Sequence, residues 1–300
     1  MANTPPSRSR AASLVYVAVL YAACCALAWF VFGAVDLPPH WAMVAGLLAS
    51  VAVTFAGALH TGNGSVFDPW WSILPPVAAL WLTGFSEAEA LTARQVAVHT
   101  VVWFWAVRLT GNWVVGWPGL HHEDWRYVDM IERLPVPAWL VRLVGVMVVP
   151  ALFVSAGCLP LYPALALGDA GFGWLDGVAL AVGLVATSLE LVADEQMRVF
   201  GARKQPGDVM QDGLWRWSRH PNYVGEILFW FSLWIFALAA APGWAWTGVG
   251  AVSILALFVF ASVPMLDARS RERRPAFAEY AARTPALFPW PGSRGGPDPS

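Results

Sequence analysis

The chain has 300 residues, of which 58% are hydrophobic and only 13% are charged, and 19 are tryptophans. This composition exceeds the apolar content of a soluble domain and indicates a membrane protein. A net charge of −2 excludes the basic surface that replaces phosphate counterions, so we expect no nucleic-acid partner. Cys24, Cys25 and Cys158 lie in apolar stretches without metal-ligand spacing, so no metal site is expected.

Long apolar stretches predict membrane-spanning helices, because a helix needs about 20 apolar residues to cross a bilayer. We therefore expect an all-helical, polytopic membrane bundle, with a tail at residues 1–13, one domain at 14–290 and a disordered tail at 291–300. The third and fourth spans are short and are expected to be tilted or partly re-entrant. The eight predicted spans are 14–35, 41–60, 70–84, 94–109, 139–162, 174–193, 223–241 and 245–265.

Arginines and lysines predict the orientation of these spans, because cytoplasmic segments are enriched in them. If the N-terminus is cytoplasmic, only Arg94 of the 18 basic residues lies on the outer flank. Both termini are then cytoplasmic. The cytoplasmic stretches are 61–69, 110–138, 194–222 and the tail from residue 266, and they contain most of the unusual polar side chains.

Three charged residues near the end of the sixth span, Glu190, Asp194 and Arg198, are four positions apart and so share one helix face. One interpretation is a helix end that leaves the membrane with its charges in water. The other is a polar wall that accepts hydrogen bonds from the ribose or amide of a cofactor.

The segment GLWRWSRHPNYVGE at 213–226 is basic and aromatic and leads directly into a span. Pro221 suits the first turn of a helix, and Arg216 and Arg219 lie at that N-terminal end, where backbone N–H groups favour an anion. Anchoring to the membrane surface explains an arginine and a tryptophan but not the other polar residues. The segment therefore predicts a site for a phosphate-bearing ligand. The polar residues that anchoring does not explain are His220, Asn222, Tyr223 and Glu226.

The motif Arg219-His220-Pro221-Asn222-Tyr223-x-Gly225-Glu226 resembles the signature of the steroid 5α-reductase and sterol reductase superfamily. Isoprenylcysteine carboxyl methyltransferases share it in a looser form. The tail at 277–289, with Phe277-x-x-Tyr280 and then Ala286-Leu287-Phe288-Pro289, is similar to the C-terminal end of the steroid 5α-reductases. The N-terminal half resembles a bacterial branch of that family through the motifs at 63–75 and 123–127. The resemblance covers about residues 60–290.

This resemblance implies a helical bundle, open to the cytoplasm and embedded in a bacterial inner membrane, whose last three helices at about 174–290 hold NADPH. It implies reduction of a carbon–carbon double bond in a steroid-, isoprenoid- or fatty-acyl-like substrate that enters from the membrane lipids. Surface attraction to anionic lipid is an alternative role for the arginines at 269–274. With Arg216 and Glu226 added from the same motif, the expected cofactor contacts are Glu190, Asp194, Arg198, Arg216, Arg219, His220, Asn222, Tyr223, Glu226, Arg269, Arg273 and Tyr280.

The proton donor of the steroid-reducing members is a tyrosine three residues before the arginine that matches Arg108, and this chain has Trp105 there. An indole N–H cannot act as a general acid near neutral pH. The candidate donors are therefore Tyr127, Asp68 and Glu123, which lie near the cytoplasmic membrane face. Each of them also fits a structural role, and Asp68 fits a cap of the third span.

Two other functions remain open from the sequence. The Arg-His-Pro-x-Tyr pattern also fits a membrane methyltransferase that uses S-adenosylmethionine, although that cofactor has no phosphate to occupy the arginines. A membrane scaffold or transporter is the non-enzymatic alternative, but transporters usually have repeated halves, and no repeat is evident here.

Overall fold

The computed structural model describes residues 9–167 and 171–288, so the predicted disordered tail and Pro289 of the tail motif lie outside the described residues. Within these ranges the chain is an all-helical bundle, as predicted. Its helices are α1 (Arg10–Ala34), α2 (Pro39–Thr61), α3 (Trp70–Thr83), α4 (Ala93–Gly116), α5 (Trp125–Arg133), α6 (Ala138–Ala166), α7 (Trp174–Arg203), α8 (Pro221–Ala240), α9 (Pro242–Arg273) and α10 (Phe277–Arg283).

Each predicted span corresponds to one of the long helices, and six of these are long and apolar enough to cross a membrane: α1, α2, α6, α7, α8 and α9. The chain is therefore an integral membrane protein. Helix α3 has only 14 residues, which confirms that the third span is short. The prediction of a short fourth span was wrong, because α4 has 24 residues and continues beyond residue 109 to Gly116. Polar side chains such as Arg94 and Arg108 interrupt its apolar surface.

Helices α6 and α9 each contain a proline within the helix, at Pro150 near the middle of one apolar stretch and at Pro264 near the end of the other. Pro150 and Pro264 cannot donate to the carbonyl groups four residues earlier, at Val146 and Phe260. Both carbonyls lie in π-helical turns, at Val141–Val148 and Phe258–Ser262. The wider turns let each helix continue past its proline, as π-helical insertions do elsewhere.

Helices α7 and α8 pack against each other along most of their length. Gly225 permits this approach, because a Cβ atom there would lie 2.3 Å from Glu190 Cγ and 2.6 Å from the Ala186 carbonyl oxygen. The glycine of the motif at 219–226 thus has a packing role. It brings Glu190 of α7 beside the first turns of α8.

The polar segments gather at one end of the bundle. Asn63 Nδ2 donates to the carbonyl oxygens of Leu120 and His122, each over 2.9 Å, and so joins the stretches 61–69 and 110–138. The Arg219 N–H donates to the Pro285 carbonyl oxygen over 2.9 Å, which joins the tail to the start of α8.

The opposite end of the bundle contains a buried ion pair. Arg94 Nε donates to Asp176 Oδ1 over 2.7 Å, and the two side chains are 4% and 1% exposed. Arg94 is the basic residue that the predicted orientation leaves on the outer side. Asp176 neutralises its charge there, which is compatible with that orientation, although the orientation itself stays a prediction.

Candidate functional site

A cavity of about 280 Å³ lies beside the N-terminal end of α8, with walls from α7, α9, α10 and the segment before α8. The side chains of Trp125, Trp215, Met210 and Arg274 line it and were not predicted as contacts. The apolar surfaces of Trp125, Trp215 and Met210 suit the flat rings of a nucleotide. The predicted cofactor contacts that also line this cavity are Arg219, His220, Asn222, Tyr223, Arg269, Arg273 and Tyr280.

Three arginines of the cavity have no carboxylate partner within the described ranges: Arg269, Arg273 and Arg274. The Arg269 guanidinium stacks on the indole of Trp125, with 3.6 Å from its central carbon to the ring centroid. Arginines without carboxylate partners at a helix N-terminus favour an anionic ligand, and the guanidinium group matches phosphate geometry. The donors of this cavity therefore fit the phosphate groups of a nucleotide.

Arg219 and His220 line the same cavity, but the terminal nitrogens of Arg219 and Nε2 of His220 already have partners within the chain. Asp267 accepts from Arg219 Nη2 over 2.6 Å, and its other oxygen lies 3.0 Å from His220 Nε2. Arg219 also donates to the carbonyl oxygens of Ala281 and Thr284. These two residues thus hold α9 and the tail against the start of α8, which shapes the cavity.

Asp267 was missed by the sequence reasoning, although a signal was present. It is the first ionisable side chain after Glu226 and follows a long apolar stretch, and such residues in membrane helices are usually functional.

Tyr280 explains why the tail motif contains a tyrosine. Its hydroxyl donates to the Trp215 carbonyl oxygen over 2.5 Å, and its ring is 3% exposed. Burial raises the pKa of this phenol well above its usual range, so it remains a neutral donor. The bond docks α10 on the segment before α8 and closes one wall of the cavity.

Two predicted cofactor contacts lie apart from the cavity. Arg198 is exposed and pairs with Glu195 of its own helix over 2.6 Å. Arg216 is exposed and lies over the ring of Trp217, 5.9 Å from its centroid. The structure gives neither residue a position from which it lines the cavity.

The remaining predicted contacts, Glu190, Asp194 and Glu226, surround Arg108 in a buried cluster. The Arg108 guanidinium forms an ion pair with Glu190, donates to Asp194 Oδ2 over 2.8 Å and lies 3.8 Å from Glu226 Oε2. Asn222 connects this cluster to the cavity, because its Nδ2 lies 3.3 Å from Asp194 Oδ1 and its side chain lines the cavity. The expectation that Glu190 and Asp194 share a helix face is confirmed.

Trp105, which replaces the tyrosine of the steroid-reducing members, belongs to the same cluster. Its indole donates to Glu226 Oε2 over 3.0 Å, and Trp230 donates to Glu226 Oε1 over 2.9 Å. The Trp105 ring is fully buried and stacks on Phe229, with 4.1 Å between centroids. Trp105 therefore positions the Glu226 carboxyl group.

Two of the three candidate proton donors are in direct contact. The Tyr127 hydroxyl donates to Asp68 Oδ1 over 2.6 Å. Burial raises the pKa of Asp68 to about 7, and the bond from Tyr127 partly offsets this rise. Asp68 makes no capping hydrogen bond to α3. It lines a second cavity of about 240 Å³ whose walls include Trp113 and Trp117.

The third candidate, Glu123, has structural partners instead. Arg142 forms two bonds to its carboxyl group, over 3.0 and 2.9 Å, and the N–H of Gly64 donates to it over 2.6 Å. Glu123 thus holds the loop before α5 against α6 and the segment at 64–67.

The first turn of α5 lies between the two cavities. Trp125 lines the larger cavity, and Asp124, immediately before it, lines the smaller one. Burial lowers the pKa of Arg126, but the bonds and charge of Asp124 raise it more, with Tyr127 and Tyr223 also contributing. Tyr223 lines the larger cavity together with Trp125 of this turn.

Comparisons with known proteins place these features in a family. Residues 54–284, which contain both cavities and the buried cluster, match the family described as "Protein of unknown function (DUF1295)". Uncharacterized protein C594.04c of Schizosaccharomyces pombe is 28% identical over 277 residues, covering 82% of this chain and 79% of the relative. No solved structure matches the chain. On the extent of the family match, the chain belongs to the DUF1295 family.

Proposed function

We propose that this protein is an NADPH-dependent membrane reductase that saturates a carbon–carbon double bond in a hydrophobic substrate, as in the steroid 5α-reductases that its motifs resemble. One observation carries the proposal. The larger cavity combines Arg269, Arg273 and Arg274, which have no carboxylate partners among the residues that the structure describes, with the N-terminal end of α8. This arrangement supports a ligand with several phosphate groups.

The size of the cavity limits how such a ligand fits. Its volume of about 280 Å³ is below the roughly 300–1,000 Å³ of pockets that enclose a drug-sized ligand. The cavity therefore encloses one part of a dinucleotide, and the rest of the dinucleotide lies along the open side of the cavity, where Arg269, Arg273 and Arg274 are. S-adenosylmethionine has no phosphate and carries a positive sulfonium group, so the positive charge of Arg269, Arg273 and Arg274 opposes its binding.

The chain supplies the second half of the chemistry. Bound NADPH would provide the hydride, and one proton must be added to the other carbon of the double bond. Tyr127 and Asp68 form a hydrogen-bonded pair, and Asp68 has a pKa of about 7, so this pair holds a proton near neutral pH. The smaller cavity gives Asp68 access to a lipid-like substrate beside the indoles of Trp113 and Trp117.

Binding to the purified protein in detergent tests the cofactor. We expect NADPH to bind and S-adenosylmethionine not to bind. Arg273→Ala should weaken NADPH binding about tenfold, the typical effect of removing one charged hydrogen bond. Arg271→Ala is the matched control, because this arginine is exposed on the same helix and does not line the cavity. It should change the affinity less than about twofold.

Two results would overturn the proposal. One is absence of NADPH binding at millimolar concentration, and the other is equal weakening by Arg273→Ala and Arg271→Ala. Equal weakening means that the arginines act only as a general surface charge. Binding of S-adenosylmethionine in place of NADPH would favour the methyltransferase.

A further inference from the structure

The cluster around Arg108 contains more acidic groups than basic ones. Glu190, Asp194 and Glu226 surround a single guanidinium, and a fully ionised cluster has a net charge of −2. Glu190 is 2% exposed, Glu226 is 7% exposed and Arg108 is 8% exposed. An uncompensated charge is very costly when it is buried this deeply.

The hydrogen bonds of the cluster are also incomplete. Glu190 Oε1 is buried, and none of the described residues places a donor within hydrogen-bonding distance of it. The Glu190 and Glu226 carboxyl groups approach the same guanidinium nitrogen, because Arg108 Nη2 pairs with Glu190 Oε2 and lies 3.8 Å from Glu226 Oε2. Two ionised carboxylates this close repel each other, whereas a proton on one of them removes the repulsion and provides a donor for the other.

We propose that Glu190 and Glu226 share one bound proton at neutral pH, and that a ligand in the larger cavity changes how tightly this proton is held. The charged and titratable groups that face the pair are Arg108 from α4, Asp194 from α7 and Tyr223 from α8. The first half of the proposal is independent of the cofactor. The second half rests on NADPH as the ligand of the cavity.

The connection to the cavity runs through two side chains that line it. Asn222 Nδ2 donates to Asp194 Oδ1 over 3.3 Å, and Asn222 also lines the cavity. A ligand that accepts from Asn222 therefore competes with Asp194 for this donor. Tyr223 is the next residue of α8 and also lines the cavity, and the charge of Glu226 acts on its hydroxyl group. Ligand binding thus alters the stabilisation of the carboxylates and, by linkage, their affinity for the proton.

Infrared spectroscopy tests the shared proton. At pH 7 we expect a C=O stretching band of protonated carboxylic acid that loses intensity in Glu226→Gln and in Glu190→Gln, and the band that remains comes from Asp68, whose pKa of about 7 leaves it partly protonated. A glutamine amide supplies the hydrogen itself, so the remaining carboxyl group can ionise beside Arg108. Glu195→Gln is the matched control, because Glu195 is on α7 and its side chain is 53% exposed. It should leave the band unchanged.

A second measurement covers the case in which the glutamine variants do not fold. Asp68→Asn removes the other protonated acid that the structure indicates, and at pH 8 this variant should still show an acid band. Absence of that band, or its persistence at full strength in folded Glu226→Gln and Glu190→Gln, overturns the shared proton.

Calorimetry of NADPH binding tests the coupling. In buffers of different ionisation enthalpy the apparent binding enthalpy should differ for the wild type, because protons are exchanged, and should not differ for Glu226→Gln. If NADPH binds the wild type with the same enthalpy in every buffer, the coupling is wrong while the proposed cofactor stands. If NADPH does not bind at all, the proposed function fails and the infrared result still decides the proton.

Discussion

Asp68 is the residue from which we expect the clearest pH dependence of stability. Its pKa is 3.8 in a model peptide and about 7 in the folded protein. Between these values the folded protein binds more protons at this site than the unfolded chain does. The free energy of unfolding therefore falls as the pH rises from about 4 to about 7, by on the order of 2 kcal/mol for a partly buried group.

Asp68→Asn should remove this dependence, because an asparagine oxygen still accepts from Tyr127 but does not ionise. Thermal unfolding in detergent at pH 5 and pH 8 measures this dependence. Between pH 5 and pH 8 the unfolding temperature of the wild type should fall by several degrees more than that of the variant. Tyr127→Phe removes the donor that stabilises the ionised form of Asp68. The pKa of Asp68 should rise further, so the fall in unfolding free energy should occur at higher pH than in the wild type. Equal pH profiles for the wild type and Asp68→Asn would show that Asp68 is ionised throughout.

At the residue scale, the sequence draws attention to side chains that are unusual for their surroundings. Glu226 is ionisable inside an apolar span and belongs to the motif at 219–226, and the structure places it in the buried cluster around Arg108, while its predicted contact with a cofactor stays a prediction. The sequence does not predict that Trp105 is its partner, because Trp105 is one of 19 tryptophans and nothing in the sequence shows which of them contacts Glu226. Only the fold brings the indole of Trp105 to the Glu226 carboxyl group. The same limit applies to Asp267 and Arg219, which are far apart in the chain.

At the scale of elements, the contact between α7 and α8 depends on Gly225. Gly225→Ala places a methyl group against Glu190 and the Ala186 carbonyl, and the backbone cannot move aside cheaply. We expect a loss of about 1–3 kcal/mol of unfolding free energy, as for overpacked cores. Displacement of Glu190 should also weaken NADPH binding through the Asp194–Asn222 contact.

The matched control for this substitution is Gly201→Ala on α7. An added Cβ atom at Gly201 has no neighbour within 4 Å. The variant should be neutral or more stable by about 0.5–1 kcal/mol, because alanine is the better helix former. Denaturation of both variants in the same detergent makes the comparison, and a Gly225→Ala protein as stable as Gly201→Ala would contradict the close-packing role.

Elements were predictable in proportion to their apolar length. Spans of about 20 apolar residues are unmistakable, and the structure has helices at all eight predicted places. The region 110–138 was harder, because polar residues there suggest a loop. It contains the end of α4 and the whole of α5, whose residues are all at least partly exposed. Short surface helices have no long apolar stretch that marks them, so their ends depend on tertiary contacts.

Across the whole molecule, the buried Arg94–Asp176 pair and the larger cavity lie at opposite ends of the bundle. Asp176 and Asp194 are on the same helix, and at 1.5 Å per residue about 27 Å separates them. The Arg94–Asp176 pair joins α4 to α7 at one end, and Arg108 joins the same two helices at the other. The sequence reveals the polar end through its motifs, but it does not show that each end has its own ion pair.

The separation of the two ends leads to a prediction about Arg94. Arg94→Met leaves Asp176 buried without its cationic partner and should cost about 3–5 kcal/mol of unfolding free energy. In Arg94→Met/Asp176→Asn the uncompensated charge is gone, and an asparagine oxygen can still accept from the Gly173 N–H. The double variant should therefore be more stable than the single one, which denaturant unfolding measures. NADPH affinity should stay within about twofold in both, because the cavity is at the far end; a large loss would mean that the two ends are coupled through α7.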